Sequence, residues 1–196
     1  MAPCPAAYRA VVQTVREAYP REIVECRTTD QHRIGLKPIV RRVWSPRGQR
    51  PQATVQHRYQ WCDLYAFVHP PSGRTFWLLL PTVSIAAFNV ALAEFAQAVG
   101  AGRGKQILLV CDGAGWHVSP QVQLPAGMHL HPLPPYSPEL QPAERLWPLT
   151  NEALANRHFQ DLDTLQSVQA RRCLTLQSMP EVIRAHTNFH WWPQTA

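Results

Sequence analysis

The sequence of 196 residues predicts an α/β domain, in which helices flank a mixed sheet. Two observations predict this class. Strand-like segments joined by turns dominate the first 80 residues, which is typical of antiparallel pairing. An amphipathic helix and a continuously apolar segment then follow, which is typical of a crossover to a parallel strand covered on both faces. Many of the 19 prolines lie between these segments, where they end helices and strands.

The first predicted elements are a helix and a strand. Apolar residues recur at helical spacing from residue 6 to 19, before Pro20, and the segment EIVECRT at 22–28 alternates as a strand does. This strand delivers Asp30 at its end. We also expect strands in the segments VRRVW, TVQHRYQW, DLYAFVHP and RTFWLLLP, which turns such as PPSG connect.

The second half of the chain alternates between helix and strand. SIAAFNVALAEFAQAVGAG carries apolar residues at spacings of three and four, and Gly100 ends this helix. KQILLVCD and MHLHPLP follow as strands. We expect a helix to begin near Pro142, a second one to be capped by Asp161 or Asp163, and a last short one to start at Pro180.

The charge balance favours a polyanionic partner. The formal net charge is +6, and Lys37 and Lys105 are the only lysines, so most cations are arginines, whose planar forks suit phosphate. No acid lies between Asp30 and Asp63. We expect this basic stretch to contact DNA phosphates, whereas the alternative is a solvated sheet edge. The expected DNA-binding residues are Arg33, Lys37, Arg41, Arg42, Arg47 and Arg50.

Cysteine usage and hydropathy indicate the compartment. The five cysteines are scattered without a CxxC pair, which speaks against a disulfide scaffold or a zinc knuckle. No segment approaches the roughly 18 apolar residues of a membrane span, and the N-terminus lacks the features of a signal peptide. We therefore expect a cytoplasmic protein with no membrane partner, and its preference for polyanionic partners would associate it with the nucleoid.

Two carboxylates occupy positions that suit chemistry. Asp112 follows the apolar strand ILLVC, and Glu144 opens a predicted helix. Both have a second interpretation, since Asp112 could cap a turn and Glu144 could be a first-turn glutamate favoured by the helix dipole. Asp30, at the end of the first predicted strand, could likewise be a loop acid. If the three acids converge, divalent cations would relieve their repulsion and could act on a phosphodiester. Trp116 and His117, beside Asp112, could orient a substrate or simply pack.

Several segments together resemble one protein family. HRIGLKPIVRRVWSPRGQRP, LLVCDGAGWH, LPPYSPELQPAERLWPLTNE and FHWWP closely resemble the DDE transposases of the mariner-like insertion-sequence group. The resemblance covers nearly the whole chain from about Val24 onward, and YSPELQPAE is specific rather than generic. It implies a ribonuclease-H-like catalytic domain, and hence a mixed five-stranded sheet, that nicks and rejoins DNA at transposon ends with two divalent metal ions, Mg²⁺ or Mn²⁺.

The resemblance also implies which residues act. By position, Asp30, Asp112 and Glu144 correspond to the three catalytic, metal-binding acids of the family. There are 31 residues between Asp112 and Glu144, which is close to the family spacing. Glu139 is a rival for the third position, but in the family pattern it belongs to the turn before the catalytic glutamate.

The chain also departs from the family pattern. Gln31 stands where a second acid is common, and Gly113 stands where asparagine is usual. Relatives carry helix-turn-helix modules ahead of the catalytic domain, whereas we expect only an N-terminal helix or linker at 1–21 before a catalytic domain at 22–196. The helix-turn-helix module is then either lost, as in a truncated element, or carried by a separate chain that is encoded in another frame.

Two functions follow from these observations. The first is metal-dependent DNA cleavage and strand transfer by a DDE transposase, acting as a homodimer on transposon ends and target DNA. The second is a catalytically decayed remnant that only binds DNA or associates with itself. Gln31, Gly113 and the expected lack of a recognition module motivate the second.

Overall fold

A computed structural model describes residues 5–52 and 58–193, with side chains from residue 8 onward. Its centre is a five-stranded sheet. In chain order the strands are Ile23–Gly35 (β1), Trp61–His69 (β2), Arg74–Leu80 (β3), Lys105–Cys111 (β4) and Met128–Pro132 (β5). The α-helices are Pro5–Ala18 (α1), Ile85–Val99 (α2), Gly115–Val118 (α3), Trp147–Asn151 (α4), Leu162–Gln177 (α5) and Pro180–Thr187 (α6), with 3₁₀ helices at Pro138–Leu140 and Pro142–Leu146.

The sheet is mixed, as predicted. Its strand order is β3-β2-β1-β4-β5, in which β1, β2 and β3 pair antiparallel while β4 and β5 extend the sheet in parallel from β1. α2 makes the crossover between the two halves. Ser84 accepts a hydrogen bond from the Ala87 N–H at the start of α2, and Gly100 ends it in the left-handed conformation.

Helices cover both faces of the sheet. On one face, α2 packs its apolar stripe on β2 and β4, and the rings of Phe67 and Phe95 stack with centroids 4.2 Å apart. On the other face, α1 lies over β1 and β4, where Tyr8 and Trp192 join Cys26 and Val110 in a second core cluster. β4 is buried on both faces, which explains its continuously apolar sequence.

The structure corrects two of the strand predictions and tests a third only in part. β1 continues to Gly35, so Asp30 lies within the strand rather than at its end, because β1 keeps pairing with β2 after it leaves β4. VRRVW is not a strand: Val40 and Val43 are exposed, and no strand in the described part of the chain pairs with this segment. TVQHRYQW falls partly outside the described residues, and its described end forms no strand before Trp61.

The helix predictions agree more closely. α1, α2, α5 and α6 lie where the sequence predicts them, and Asp161 rather than Asp163 caps α5 by accepting from the Thr164 N–H. The helix expected near Pro142 begins as a 3₁₀ helix and becomes α4 at Trp147. None of the helices in the described part of the chain is long and apolar enough to cross a membrane.

Candidate active site

The strand register brings Asp30 and Asp112 together. The parallel pairing of β1 with β4 ends at Thr28 opposite Val110. Asp30 and Asp112 each follow two residues later in the chain, so both acids lie just beyond the same end of this ladder. The negative charge of Asp112 helps to raise the pKa of Asp30, which is the electrostatic consequence of this proximity.

Gln141 fixes the segment that carries Glu144. Thr28 Oγ1 donates a hydrogen bond to the side-chain oxygen of Gln141, whose Nε2 donates to the backbone oxygen of Thr29 at 2.9 Å. Gln141 is buried, so these bonds anchor the start of the 3₁₀ helix Pro142–Leu146 directly to β1. Glu144 is thereby held beside the strand that carries Asp30.

The Asp30 carboxylate is partly buried and is held by Trp147. The indole Nε1 of Trp147 donates to Asp30 Oδ2 at 2.9 Å. Burial raises the pKa of Asp30 to about 7, the charges of Asp112 and Glu144 act in the same direction, and the hydrogen bond from Trp147 opposes them. Asp30 is therefore a carboxylate that lacks a compensating positive charge.

Asp112 is held by a histidine instead. The side chain of His117 is fully buried, packs on Phe88 and places Nδ1 2.5 Å from Asp112 Oδ1. The Ala114 N–H also donates to this oxygen at 3.2 Å. The hydrogen bond with His117 lowers the pKa of Asp112, so its carboxylate is ionised and oriented.

Glu144 faces a cleft of about 300 Å³ that Asp112, Gly113 and Gln141 also line. Partial burial in this cleft raises the pKa of Glu144. The positive charge of Arg145 opposes this shift, whereas the negative charges of Asp112 and Glu139 add to it. The Cβ of a side chain at Gly113 would meet only the Leu133 carbonyl oxygen, at 3.5 Å. The cleft is therefore negatively charged and has room beside Asp112.

The chemistry of the three acids fits a divalent cation. Carboxylate oxygens are the ligands that Mg²⁺ and Mn²⁺ prefer, and a positive charge between these groups would offset the burial and the mutual repulsion that raise the pKa values of Asp30 and Glu144. Among the residues that the structure describes, no three His, Cys, Asp or Glu side chains are grouped closely enough to hold an ion as they stand.

The predicted DNA-binding residues fall into two groups. Arg33 donates to Asp63 Oδ1 at 3.3 Å and lies over the Trp61 ring, and Arg41 donates to the Pro148 carbonyl oxygen at 2.8 Å. Both side chains therefore make a hydrogen bond within the protein, although Arg33 is itself exposed. The other four are exposed on the connection between β1 and β2: Lys37, Arg42, Arg47 and Arg50.

Sequence reasoning did not single out two residues that position the acids, Gln141 and Trp147. Gln141 lies in the family-like segment, but a buried glutamine has no pattern that distinguishes it from a loop residue. Trp147 follows Glu144 by three residues, the spacing of one helical turn, which could have indicated a shared role. Trp116, whose role was left open, donates to the Gln31 side-chain oxygen at 3.2 Å.

The chain matches known proteins in sequence. The sequence model of the family described as DDE superfamily endonuclease matches residues 25–166. An uncharacterized protein of Sinorhizobium fredii (strain NBRC 101917 / NGR234) is 37% identical over 106 residues, which make up 54% of this chain and 77% of that protein.

The fold is similar to that of solved transposase complexes. A pre-cleavage Mos1 transpososome matches with a TM-score of 0.57 and 16% identity, over 95% of this chain and 62% of that chain. The Mos1 mariner paired-end complex with Mn matches with a TM-score of 0.55 and 17% identity, over 93% and 62%. This chain thus covers about three-fifths of the length of each of these solved proteins. The likeness confirms the predicted ribonuclease-H-like fold.

Proposed function

The chain belongs to the DDE superfamily endonuclease family, and from this premise we propose that it cleaves DNA phosphodiesters and transfers strands in transposition. Asp30, Asp112 and Glu144 are the proposed catalytic acids. The observation that supports the proposal is electrostatic: beyond the effect of burial, the charges of Asp112 and Glu144 help to raise the pKa of Asp30, and the charge of Asp112 helps to raise the pKa of Glu144.

Asp30, Asp112 and Glu144 would hold two divalent cations, Mg²⁺ or Mn²⁺. Bound there, such ions would supply positive charge to the phosphate oxygens and to the attacking oxygen. Solved Mos1 complexes with Mn and with Mg support this choice of metals. The protein's own contribution is orientation: Trp147 positions Asp30, His117 positions Asp112, and Gln141 holds the segment of Glu144.

The proposed substrate is double-stranded DNA that includes transposon ends. Lys37, Arg42, Arg47 and Arg50 are exposed on one connection and would bind phosphates without reading sequence. Solved Mos1 structures contain a transposon end, which supports DNA as the partner. We further propose that two copies of the chain act together, and that a separate helix-turn-helix chain recognises the ends.

A second candidate function is a decayed transposase that binds DNA without cutting it. The observation that favours it is the side-chain amide of Gln31, which bonds Trp116 where the family commonly has another acid. Gly113 likewise lacks the side chain that is usual beside the second acid. Both departures lie beside the proposed catalytic acids, and all three acids are still present.

One experiment separates the two functions. Nicking of supercoiled plasmid by the purified protein is measured with Mg²⁺, with Mn²⁺ and with EDTA, for the wild type, Asp112→Asn, Glu144→Gln and Glu139→Gln. We expect metal-dependent nicking that falls by about a hundredfold or more in the first two variants, because each loses a charged metal ligand. Glu139→Gln is the matched control and should keep its activity. Equal background nicking by all four proteins would reject the enzyme and favour the remnant.

A further inference from the structure

A second cavity, of about 570 Å³, lies at the opposite end of the sheet from the three acids. It opens between the turn that joins β2 to β3, the C-terminal end of α2 and the junction of α5 with α6. Three cationic side chains line it, those of Arg27, Arg74 and Lys105. Lys105 begins β4 and Asp112 follows its last residue, so the strand separates the two sites by roughly 20 Å.

Two of these cations share one carboxylate. Arg27 donates through Nε and Nη2 to Glu25 Oε2, at 2.8 and 2.6 Å, and Lys105 Nζ lies 2.8 Å from Glu25 Oε1. Together with the exposed Arg74, the cluster has three positive charges against one negative charge. An excess of positive charge that is partly shielded from water favours an anionic ligand.

The surroundings of the cluster add polar groups without adding negative charge. The other polar residues that line the cavity are Ser72, Thr75 and Gln177. Burial and then the charge of Arg27 lower the pKa of the adjacent His69 to about 4, so its ring is neutral at pH 7. Arg27 itself is held rigidly, because its side chain is only 4% exposed and its guanidinium packs over the Phe95 ring.

We propose that this cavity, formed by Arg27, Arg74 and Lys105, binds a phosphate group. The phosphate belongs either to a DNA backbone that runs along this end of the sheet or to a small phosphorylated molecule. Arg74 offers a free planar fork to two phosphate oxygens, while Arg27 and Lys105 supply a fixed positive field. The site uses none of the proposed catalytic acids, so it does not depend on whether the chain cleaves DNA.

The test measures binding rather than activity. Calorimetric titration of the purified full chain with inorganic pyrophosphate, at low ionic strength and without metal, is compared for the wild type, Arg74→Ala and Arg171→Ala. Arg171 is an exposed arginine on α5 and does not line the cavity, so its replacement removes the same charge elsewhere. We expect Arg74→Ala to weaken binding by roughly tenfold, Arg171→Ala to leave it nearly unchanged and Arg74→Lys to restore part of it.

A competing duplex DNA distinguishes the two sources of phosphate. If duplex DNA displaces pyrophosphate from the wild type, the site binds the DNA backbone. If it does not, the site binds a small phosphorylated molecule. Both results support a phosphate site. The proposal is overturned if pyrophosphate does not bind, or if Arg171→Ala weakens binding as much as Arg74→Ala. Because Arg74 is exposed, its replacement should leave the fold intact, which circular dichroism checks.

Discussion

The indole N–H of Trp147 donates a hydrogen bond of 2.9 Å to Oδ2 of Asp30. The ring of Trp147 also stacks on His32 with centroids 5.0 Å apart, and His32 Nε2 lies 3.0 Å from Asn151 Oδ1. These contacts tie α4 to β1 through the side chain of the proposed first acid. The orientation of the Asp30 carboxylate therefore depends on a helix that begins three residues after Glu144.

Replacing Trp147 by phenylalanine tests whether this bond positions Asp30. Trp147→Phe keeps a ring for stacking on His32 but removes the donor, so the Asp30 carboxylate loses a bond that favours its ionised form. We expect metal-dependent nicking to fall by roughly tenfold or more, and the free energy of unfolding to fall by about 1 kcal/mol. Plasmid nicking and urea unfolding measure the two effects.

Trp77 provides a matched control for this substitution. Its indole Nε1 donates to Thr75 Oγ1 at 2.9 Å on β3, away from the acids. Trp77→Phe should therefore lower the free energy of unfolding by a similar amount, while the nicking rate stays near that of the wild type. If both variants lose activity in proportion to their stability, Trp147 has only a structural role.

Gly113→Asn tests whether the residue after the second acid limits activity. A Cβ at Gly113 would make only an ordinary contact with the Leu133 carbonyl oxygen, at 3.5 Å, so the position has room for the start of a side chain. The new amide would lie beside Asp112 and could orient a ligand of the cleft. We expect a folded protein whose unfolding free energy changes by no more than about 0.5 kcal/mol, and faster metal-dependent nicking.

Two further variants make this prediction specific. Gly113→Ala fills the same space without the amide and should leave the nicking rate unchanged. Gly127→Asn should instead destabilise the protein, because its φ is +75° and a Cβ there would meet the Gly102 backbone nitrogen at 2.3 Å. A wild-type nicking rate in a stably folded Gly113→Asn variant would contradict a limiting role for Gly113.

The sequence was sufficient to predict the fold class and the elements with strong periodicity. α2 and β4 have unambiguous patterns, because one has a single buried face and the other is buried on both faces. The connection between β1 and β2 was not predictable. Its VRRVW segment has the β-branched and aromatic residues that are typical of strands, yet it pairs with no strand among the described residues. Strand pairing is a tertiary property that local sequence does not contain.

The candidate site was predictable only in part. Asp112 and Glu144 were singled out by their positions in predicted elements, and the resemblance assigned a catalytic role to them and to Asp30. The register of β1 with β4 supplies the physical reason why Asp30 and Asp112 are neighbours. The hydrogen bonds between Gln141 and the residues Thr28 and Thr29 span more than 100 residues of sequence, so no local pattern predicts them. The catalytic role of the three acids stays a prediction until the nicking assay is done.

Acidification should weaken the fold through His69. Burial and then the charge of Arg27 lower the pKa of His69 from 6.5 to about 4 in the folded protein. A histidine that is kept neutral stabilises the fold above pH 6.5, and this contribution is lost as the pH falls from 6.5 to about 4. Relative to His69→Gln, the wild type should therefore lose on the order of 1 to 3 kcal/mol of unfolding free energy between pH 7 and pH 4.

Urea unfolding at several pH values measures this difference. The exposed His158 is the matched control, and the difference between His158→Gln and the wild type should be nearly independent of pH. A pH-independent difference for His69→Gln as well would show that the neutral ring does not contribute to stability in this range.

Asp30→Asn should stabilise the metal-free protein while it removes activity. Burial, aided by Asp112 and Glu144, raises the pKa of Asp30 from 3.8 to about 7 in the folded state. A carboxyl group with a raised pKa contributes to the free energy of unfolding below pH 3.8, and this contribution is lost as the pH rises through 7. At pH 8 the wild type thus holds an unfavourable charge, which the neutral amide of the variant lacks.

We therefore expect Asp30→Asn to have a larger unfolding free energy than the wild type in EDTA at pH 8, by on the order of 1 to 3 kcal/mol, and the gap to narrow at pH 5. Added Mg²⁺ or Mn²⁺ should raise the melting temperature of the wild type but not of the variant, because bound cations offset the repulsion among the acids. Asp163→Asn, at an exposed position on α5, is the control and should change neither quantity. If Asp30→Asn is less stable than the wild type at pH 8, the ionised Asp30 carboxylate does not destabilise the fold, and the electrostatic argument for a shared metal site fails.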